Sequence, residues 1–95
     1  MKKMILITGA TDGIGLETAK LLASDGHNLL IHGRNVEKLN AVKSLLAAIP
    51  NAGSINSYLA DLSVLSDVKK LVEDIKNEYK SFDVLINNAG IFKSN

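Results

Sequence analysis

The chain contains no cysteine and no tryptophan, one proline, and two tyrosines and two phenylalanines as its only aromatic residues. Without cysteine it can form neither a disulfide scaffold nor a thiolate-ligated metal site, and the composition is compatible with a reducing compartment. So few aromatic side chains provide no stacking platform for single-stranded nucleic acid. The 95 residues form one small domain at most.

An excess of charge of either sign is also lacking, because 11 basic and 10 acidic residues give a formal net charge of +1. This mixture resembles neither a nucleic-acid footprint nor a polybasic membrane anchor. The apolar run at residues 4–7 is too short for a signal peptide, and no run approaches the ~20 residues of a membrane helix. We therefore expect a cytoplasmic protein with no nucleic-acid, membrane or metal partner.

Short apolar runs alternate with amphipathic stretches along the whole chain. The pattern predicts strands at about 4–8, 28–32, 55–60 and 83–87, and helices at about 13–25, 35–48 and 64–79. This alternation indicates an α/β fold with a parallel sheet. Right-handed crossovers give a four-stranded sheet in the order 3-2-1-4, with helices one and two on one face and helix three on the other.

Local signals refine the helices. Asn35 is placed to N-cap helix two, and Gly26 to follow helix one as its C′ residue. In helix two we expect four inward residues: Leu39, Val42, Leu46 and Ile49. In helix one the apolar positions fall on two adjacent faces, one with Ile14, Thr18, Leu21 and Leu22 and the other with Leu16, Ala19 and Ala23.

A glycine-rich segment, Thr-Gly-Ala-Thr-Asp-Gly-Ile-Gly at residues 8–15, connects the first strand to the first helix. Gly9 permits a tight turn, Gly13 leaves room for a pyrophosphate, and Gly15 lets the helix pack closely on the strand. The first helical N–H groups and the helix dipole then favour an anion. An ordinary strand–helix turn is the alternative. The spacing differs from Gly-x-Gly-x-x-Gly, and the segment lacks the Gly-Lys-Ser/Thr of an ATPase loop.

The second strand ends in His32-Gly33-Arg34-Asn35, with no acidic residue between Leu29 and Val36. An acid at this position accepts from the 2′-hydroxyl of NAD, whereas an arginine pairs with the 2′-phosphate of NADP. Arg34 therefore favours NADP over NAD. Its alternative is a solvated surface arginine. We expect His32 to be a strand-end spacer rather than a catalytic group.

Two further segments follow strands three and four. Asp61-Leu62 comes at the end of strand three, where a carboxylate can accept from an adenine amino group, cap helix three, or do both. Asn87-Asn88-Ala89-Gly90 ends strand four, where amides can bond neighbouring main chain and small residues admit a flat ligand.

These four segments in this order resemble the short-chain dehydrogenase/reductase family. The resemblance spans nearly the whole chain and implies a partial Rossmann fold that binds NAD(P). It implies that the glycine loop lines the pyrophosphate, Arg34 the 2′-phosphate, Asp61 and Leu62 the adenine, and residues 88–90 the two riboses. The implied cofactor-binding residues are Gly9, Thr11, Asp12, Gly13, Ile14, Gly15, Arg34, Asn35, Asp61, Leu62, Asn88, Ala89 and Gly90.

The chain departs from that family in its catalytic residues. The family uses a serine, a Tyr-x-x-x-Lys pair and a further asparagine, all beyond the Asn-Asn-Ala-Gly segment. Here Leu62 stands four residues after Tyr58, and Asp83 four residues after Tyr79. We expect no catalytic residue in residues 1–95 and interpret the chain as the amino-terminal, cofactor-binding part of an NADP-dependent oxidoreductase. The alternative is a complete, non-catalytic nucleotide-binding or assembly module.

The predicted fourth strand also indicates how the chain could associate with other copies of itself. If it is the last strand, Val84, Leu85 and Ile86 lie on a sheet edge whose open backbone groups invite pairing with another chain. The face covered by helix three alone should also leave an apolar patch exposed. We expect a homo-oligomer formed through this edge or this face.

Overall fold

A computed structural model describes residues 2–78 and 84–87 of the chain. Strands alternate with helices throughout. In chain order the elements are β1 (Met4–Thr8), α1 (Gly13–Ser24), β2 (Asn28–Gly33), α2 (Val36–Ala47), β3 (Ile55–Leu59), α3 (Leu65–Glu78) and β4 (Val84–Asn87). The predicted α/β architecture with a parallel sheet is confirmed, and element bounds within the described residues agree to one residue.

The sheet has four strands in the order β3-β2-β1-β4, and every neighbouring pair is parallel. In register, Ile5 of β1 lies between Leu29 of β2 and Val84 of β4. The chain therefore runs outward from β1 through β2 to β3 and then crosses back to β4 on the other side of β1. This reversal places the end of β1 at a topological switch point, where open α/β sheets bind ligands.

Alternate strand residues pack on opposite faces of the sheet. On one face, strand residues pack with α1 and α2; the buried members of this cluster include Ile5, Ile7, Leu29, Ile31, Ala19, Ala23, Leu39, Val42 and Leu46. On the other face, Leu6, Leu30 and Tyr58 pack with Leu71 and Ile75 of α3. The inward residues expected in helix two are confirmed, with Ile49 partly buried against the cluster.

The structure corrects the apolar face expected for helix one. Ile14 is 77% exposed and Leu21 68% exposed, whereas α1 buries Gly15, Ala19 and Ala23. Small residues let a helix approach a sheet closely, so α1 turns its small-residue side inward, keeps Leu16 and Leu22 partly buried against the core, and leaves Ile14 and Leu21 exposed. In α3, Val72 is likewise 45% exposed. Tyr79, which continues the helical spacing of Leu71, Val72 and Ile75 in the sequence, lies outside the described residues.

Both helix-end signals are confirmed. The Asn35 side chain accepts a hydrogen bond from the Lys38 N–H at 2.9 Å, which is the bond expected of an N-cap. Gly26 follows α1 with φ +88° and donates its N–H to the Ala23 carbonyl. Among the helices that the structure describes, none has the length and apolarity needed to cross a bilayer.

Candidate functional site

The glycine-rich loop leaves β1 and enters α1 through two left-handed residues. Gly9 has φ +63° and Gly13 φ +53°, conformations that glycine adopts without steric cost. Asp12 occupies the N-cap position, but its side chain makes no capping hydrogen bond. A Cβ added to Gly13 would meet nothing within 4 Å. The start of α1 at Gly13 therefore adjoins open space, and the first backbone N–H groups of the helix have no partner within the helix.

The loop packs directly against the end of β2. A Cβ added to Gly33 would lie 2.7 Å from Cγ2 of Thr11, a distance that a side chain there could not tolerate. Glycine at this position thus permits the contact between Thr11 and the strand end. As a result, Arg34 follows immediately beside the glycine-rich loop.

His32 connects three strand ends. It is only 4% exposed. Its Nδ1 accepts a hydrogen bond from the Gly9 N–H at 3.1 Å, and its Nε2 lies 2.7 Å from the Ala60 carbonyl oxygen. Its backbone carbonyl also accepts from the Ala10 N–H at 2.9 Å. The sequence-based expectation of a simple spacer missed these bonds, because they join residues 23 and 28 positions apart.

An ion pair joins the loop to the first turn of α2. Lys38 Nζ lies 3.2 Å and 3.3 Å from the two carboxylate oxygens of Asp12. The side chains are 56% and 71% exposed, so the pair contributes little to stability. It does, however, place a cation and an anion at the margin of the candidate site. Nothing in the local sequence around Lys38 indicated this contact.

Asp61 is engaged by its own turn before α3. Its Oδ1 accepts from the Ser63 hydroxyl at 2.6 Å and from the Ser63 N–H at 3.0 Å. These hydrogen bonds, with a smaller contribution from the charge of Arg34, hold the pKa of Asp61 below its ordinary value. The Asp61 N–H donates to Asp67 of α3 at 2.9 Å. The Asp61 side chain therefore closes the turn before α3, and its bonds go to Ser63 rather than to an N–H of the helix that begins at Leu65.

Beside these strand ends lies an open groove of about 600 Å³ between β3 and α3. Arg34 and Asp61 line one part of it, and Lys70, Asp74 and Glu78 line another. The glycine-rich loop contributes none of its walls. The groove therefore includes Arg34 and Asp61, two of the predicted cofactor-binding residues, but not the glycine-rich loop.

The remaining predicted residues are only partly described. Leu62 packs partly buried against the cluster beneath α3. Asn87 pairs with Thr8 in the sheet, and the Thr8 hydroxyl donates to the Ile86 carbonyl at 3.4 Å. Asn88, Ala89 and Gly90 lie outside the described residues. Within residues 2–78 and 84–87, no group of three or more histidine or acidic residues is arranged to hold a metal ion.

Comparison with known proteins identifies the arrangement. A family model for short chain dehydrogenases matches residues 3–95. An uncharacterized oxidoreductase of Listeria monocytogenes is 42% identical over 89 residues, covering 94% of this chain and 35% of the relative. The first three curated relatives are matched over 32%, 31% and 37% of their own lengths. The chain thus spans about a third of the curated relatives it matches.

Two solved structures show the same fold. YwfH, an NADPH dependent reductase involved in bacilysin biosynthesis, superposes with a TM-score of 0.85 at 30% identity, over 93% of this chain and 37% of that protein. L-Sorbose reductase from Gluconobacter frateurii, complexed with NADPH and L-sorbose, has a TM-score of 0.83 at 28% identity. Its coverage is 94% of this chain and 34% of the reductase.

Proposed function

Because the chain belongs to the short-chain dehydrogenase family, we propose that it is the dinucleotide-binding part of an NADP-dependent oxidoreductase. The whole enzyme would transfer hydride between nicotinamide and a carbonyl or alcohol carbon in the cytoplasm. The proposal rests on the loop at the end of β1, in which Gly9 and Gly13 have left-handed backbone conformations. This loop packs against the end of β2, which is followed by Arg34 and has no acidic residue.

Each part of the dinucleotide has residues suited to hold it. The N–H groups of Gly13, Ile14 and Gly15 open α1 and suit a pyrophosphate. Gly9 contributes its backbone conformation, because its N–H already donates to His32. Leu62 and Asp61 suit the adenine, and residues 88–90 keep the role of lining the riboses as a prediction. When bound, the nicotinamide supplies or accepts the hydride.

The preference for NADP rests on charge at the end of β2. A 2′-phosphate adds negative charge beside the ribose, and the exposed guanidinium of Arg34 can bind it bidentately. Asn35 caps α2 at the same place, so the positive end of that helix adds to the attraction. The NADPH named for the reductases of similar fold supports the same choice.

We assign no catalytic residue to this chain. Hydride transfer to a carbonyl needs a positioned proton donor, which typically contributes 10²–10⁴-fold. Neither Tyr58 nor Tyr79 has a lysine four residues later. The 95 residues alone should therefore bind cofactor but show no turnover with carbonyl or alcohol substrates.

The proposal is tested by calorimetric titration of the full-length protein and two variants with NADP and with NAD. Arg34→Ala should weaken NADP binding about ten- to a hundredfold, since charge-assisted hydrogen bonds are worth roughly 1.5–3 kcal/mol each. NAD binding should hardly change. Lys43→Ala removes another exposed cation, on α2, and should leave both affinities as they are. Tighter binding of NAD than NADP before mutation would refute the assignment.

A further inference from the structure

The hydrogen bonds of His32 define one protonation state of its ring. The Gly9 N–H can only donate, so Nδ1 must accept from it; the Ala60 carbonyl can only accept, so Nε2 must carry a proton. The ring is therefore neutral, with its hydrogen on Nε2. An imidazolium donates from both nitrogens and could not accept from Gly9.

These bonds act on the residue that starts the glycine-rich loop. Gly9 holds φ +63°, and the next N–H, that of Ala10, also binds His32, through the backbone carbonyl. Two consecutive loop amides thus bind to one strand-end residue. On its other side the ring reaches Ala60, which directly precedes Asp61. The ring spans from the start of the loop to the end of β3.

The surroundings favour the neutral ring. Burial is the largest influence and lowers the pKa of His32, while the bond to Ala60 and the charge of Asp61 oppose it. Other charged groups on the elements around the ring include Arg34, whose charge acts on Asp61, Asp12 in the glycine-rich loop, and Asp67 on α3, which accepts from the Asp61 N–H. The neutral form therefore prevails at neutral pH, and acid converts the ring to a form that cannot hold Gly9.

We propose that His32 is a positioning residue for the cofactor: its neutral ring fixes the start of the glycine-rich loop in the conformation that binds the pyrophosphate. The proposal rests on the dinucleotide site proposed above. It assigns His32 no contact with the reacting atoms. Protonation of the ring in acid breaks its bond to the loop. The affinity for the dinucleotide therefore falls as the pH decreases through the pKa of His32.

Substitutions of His32 in the full-length protein test this role. His32→Leu keeps much of the apolar bulk but removes both ring bonds, and should weaken NADP about tenfold at neutral pH, with a smaller difference from the original protein in acid. His32→Asn retains an acceptor close to the position of Nδ1 and should recover most of the lost affinity. His27 is the matched control, because its Nδ1 accepts from the Lys3 N–H at 3.0 Å at the opposite end of β2. His27→Leu should leave NADP affinity at its original value.

The pH profile distinguishes positioning from simple structural support. As the pH falls through the lowered pKa of His32, the original protein should lose NADP affinity more steeply than His32→Asn. Comparison with this variant cancels the titration of the ligand phosphate. Equal profiles, or an unchanged affinity in a folded His32→Leu protein, would overturn the proposal. If His32→Leu does not fold, the profile and His32→Asn still decide it.

A ring measurement separates this proposal from the proposed function. Nitrogen-15 spectra of the imidazole in the cofactor-free protein should show hydrogen on Nε2 and none on Nδ1 at neutral pH. A ring protonated on Nδ1 would refute the bond to Gly9 whatever the cofactor. If the ring has the expected form but neither NADP nor NAD binds, the dinucleotide function fails and the role proposed for His32 falls with it.

Discussion

Gly9 and Gly13 show how single residues shape this site. Both have positive φ values. The three residues between them connect the end of β1 to the start of α1. For an L-residue this backbone region costs roughly 1–2 kcal/mol. Gly13 adds a second requirement, because the space where a side chain would begin is open and is assigned here to the pyrophosphate.

Replacing Gly13 with valine should abolish dinucleotide binding and lower stability, since the branched side chain both strains the backbone and enters the pyrophosphate space. Gly26→Ala is the control for a destabilised left-handed glycine away from the site, because Gly26 has φ +88° at the far end of α1 and an added Cβ would lie 3.2 Å from the Asn51 side chain. It should lose stability but retain NADP affinity. Saturable NADP binding by Gly13→Val in a calorimetric titration would show that the phosphates lie elsewhere.

At the scale of elements, α2 links local sequence to the site. Asn35 caps its first turn, the Lys38 N–H donates to that cap, and Lys38 Nζ reaches Asp12 across the loop. The helix start therefore stabilises α2 and also places Arg34 beside the glycine-rich loop. Loss of the Asn35 cap should therefore destabilise the first turn of α2 and make the position of Arg34 less well defined.

Asn35→Ala should lower the free energy of unfolding by about 1 kcal/mol, because the Lys38 N–H loses its side-chain acceptor. Asn40→Ala is the matched control: Asn40 is exposed within α2, where alanine is the better helix former, so stability should hold or rise slightly. Urea denaturation of the full-length protein followed by circular dichroism measures both. An equal effect of the two substitutions would contradict the capping role.

The helices and strands were predictable because each depends on a local sequence pattern. Contacts between residues that are distant in the sequence could not be predicted in this way. The spacing of the apolar residues and the positions of the turn residues predicted the bounds of the elements. The Asn35 cap was predicted from the type of this one residue and its place before α2. The burial of α1 was misjudged because its two stripes are both apolar, and closeness of packing selected the one with Ala19 and Ala23. His32 and Lys38 bind partners that are 23 and 26 residues away in the sequence. A local sequence pattern does not predict contacts over such distances.

At the scale of the whole molecule, β4 pairs with β1 and is an outer strand of the described sheet. Several large apolar side chains are exposed, among them Leu65 and Val64 near α3. Association remains a prediction: we expect the 95-residue chain to pair with a second copy of itself through the β4 edge or the face carrying α3. Sedimentation equilibrium should show a concentration-dependent mass, and a stable monomer at tens of micromolar would contradict it.

The central claim is that the loop between β1 and α1 binds the phosphates of NADP while Arg34 recognises its 2′-phosphate. The chemical shifts of the backbone amides and of the arginine Nε–H groups in the full-length protein, measured during titration with NADP and then NAD, test it most directly. The account predicts that the N–H signals of Gly13, Ile14 and Gly15 move with both cofactors, and that the Arg34 Nε signal moves with NADP only. Unmoved loop signals at saturating NADP, or shifts confined to the groove between β3 and α3, would contradict it.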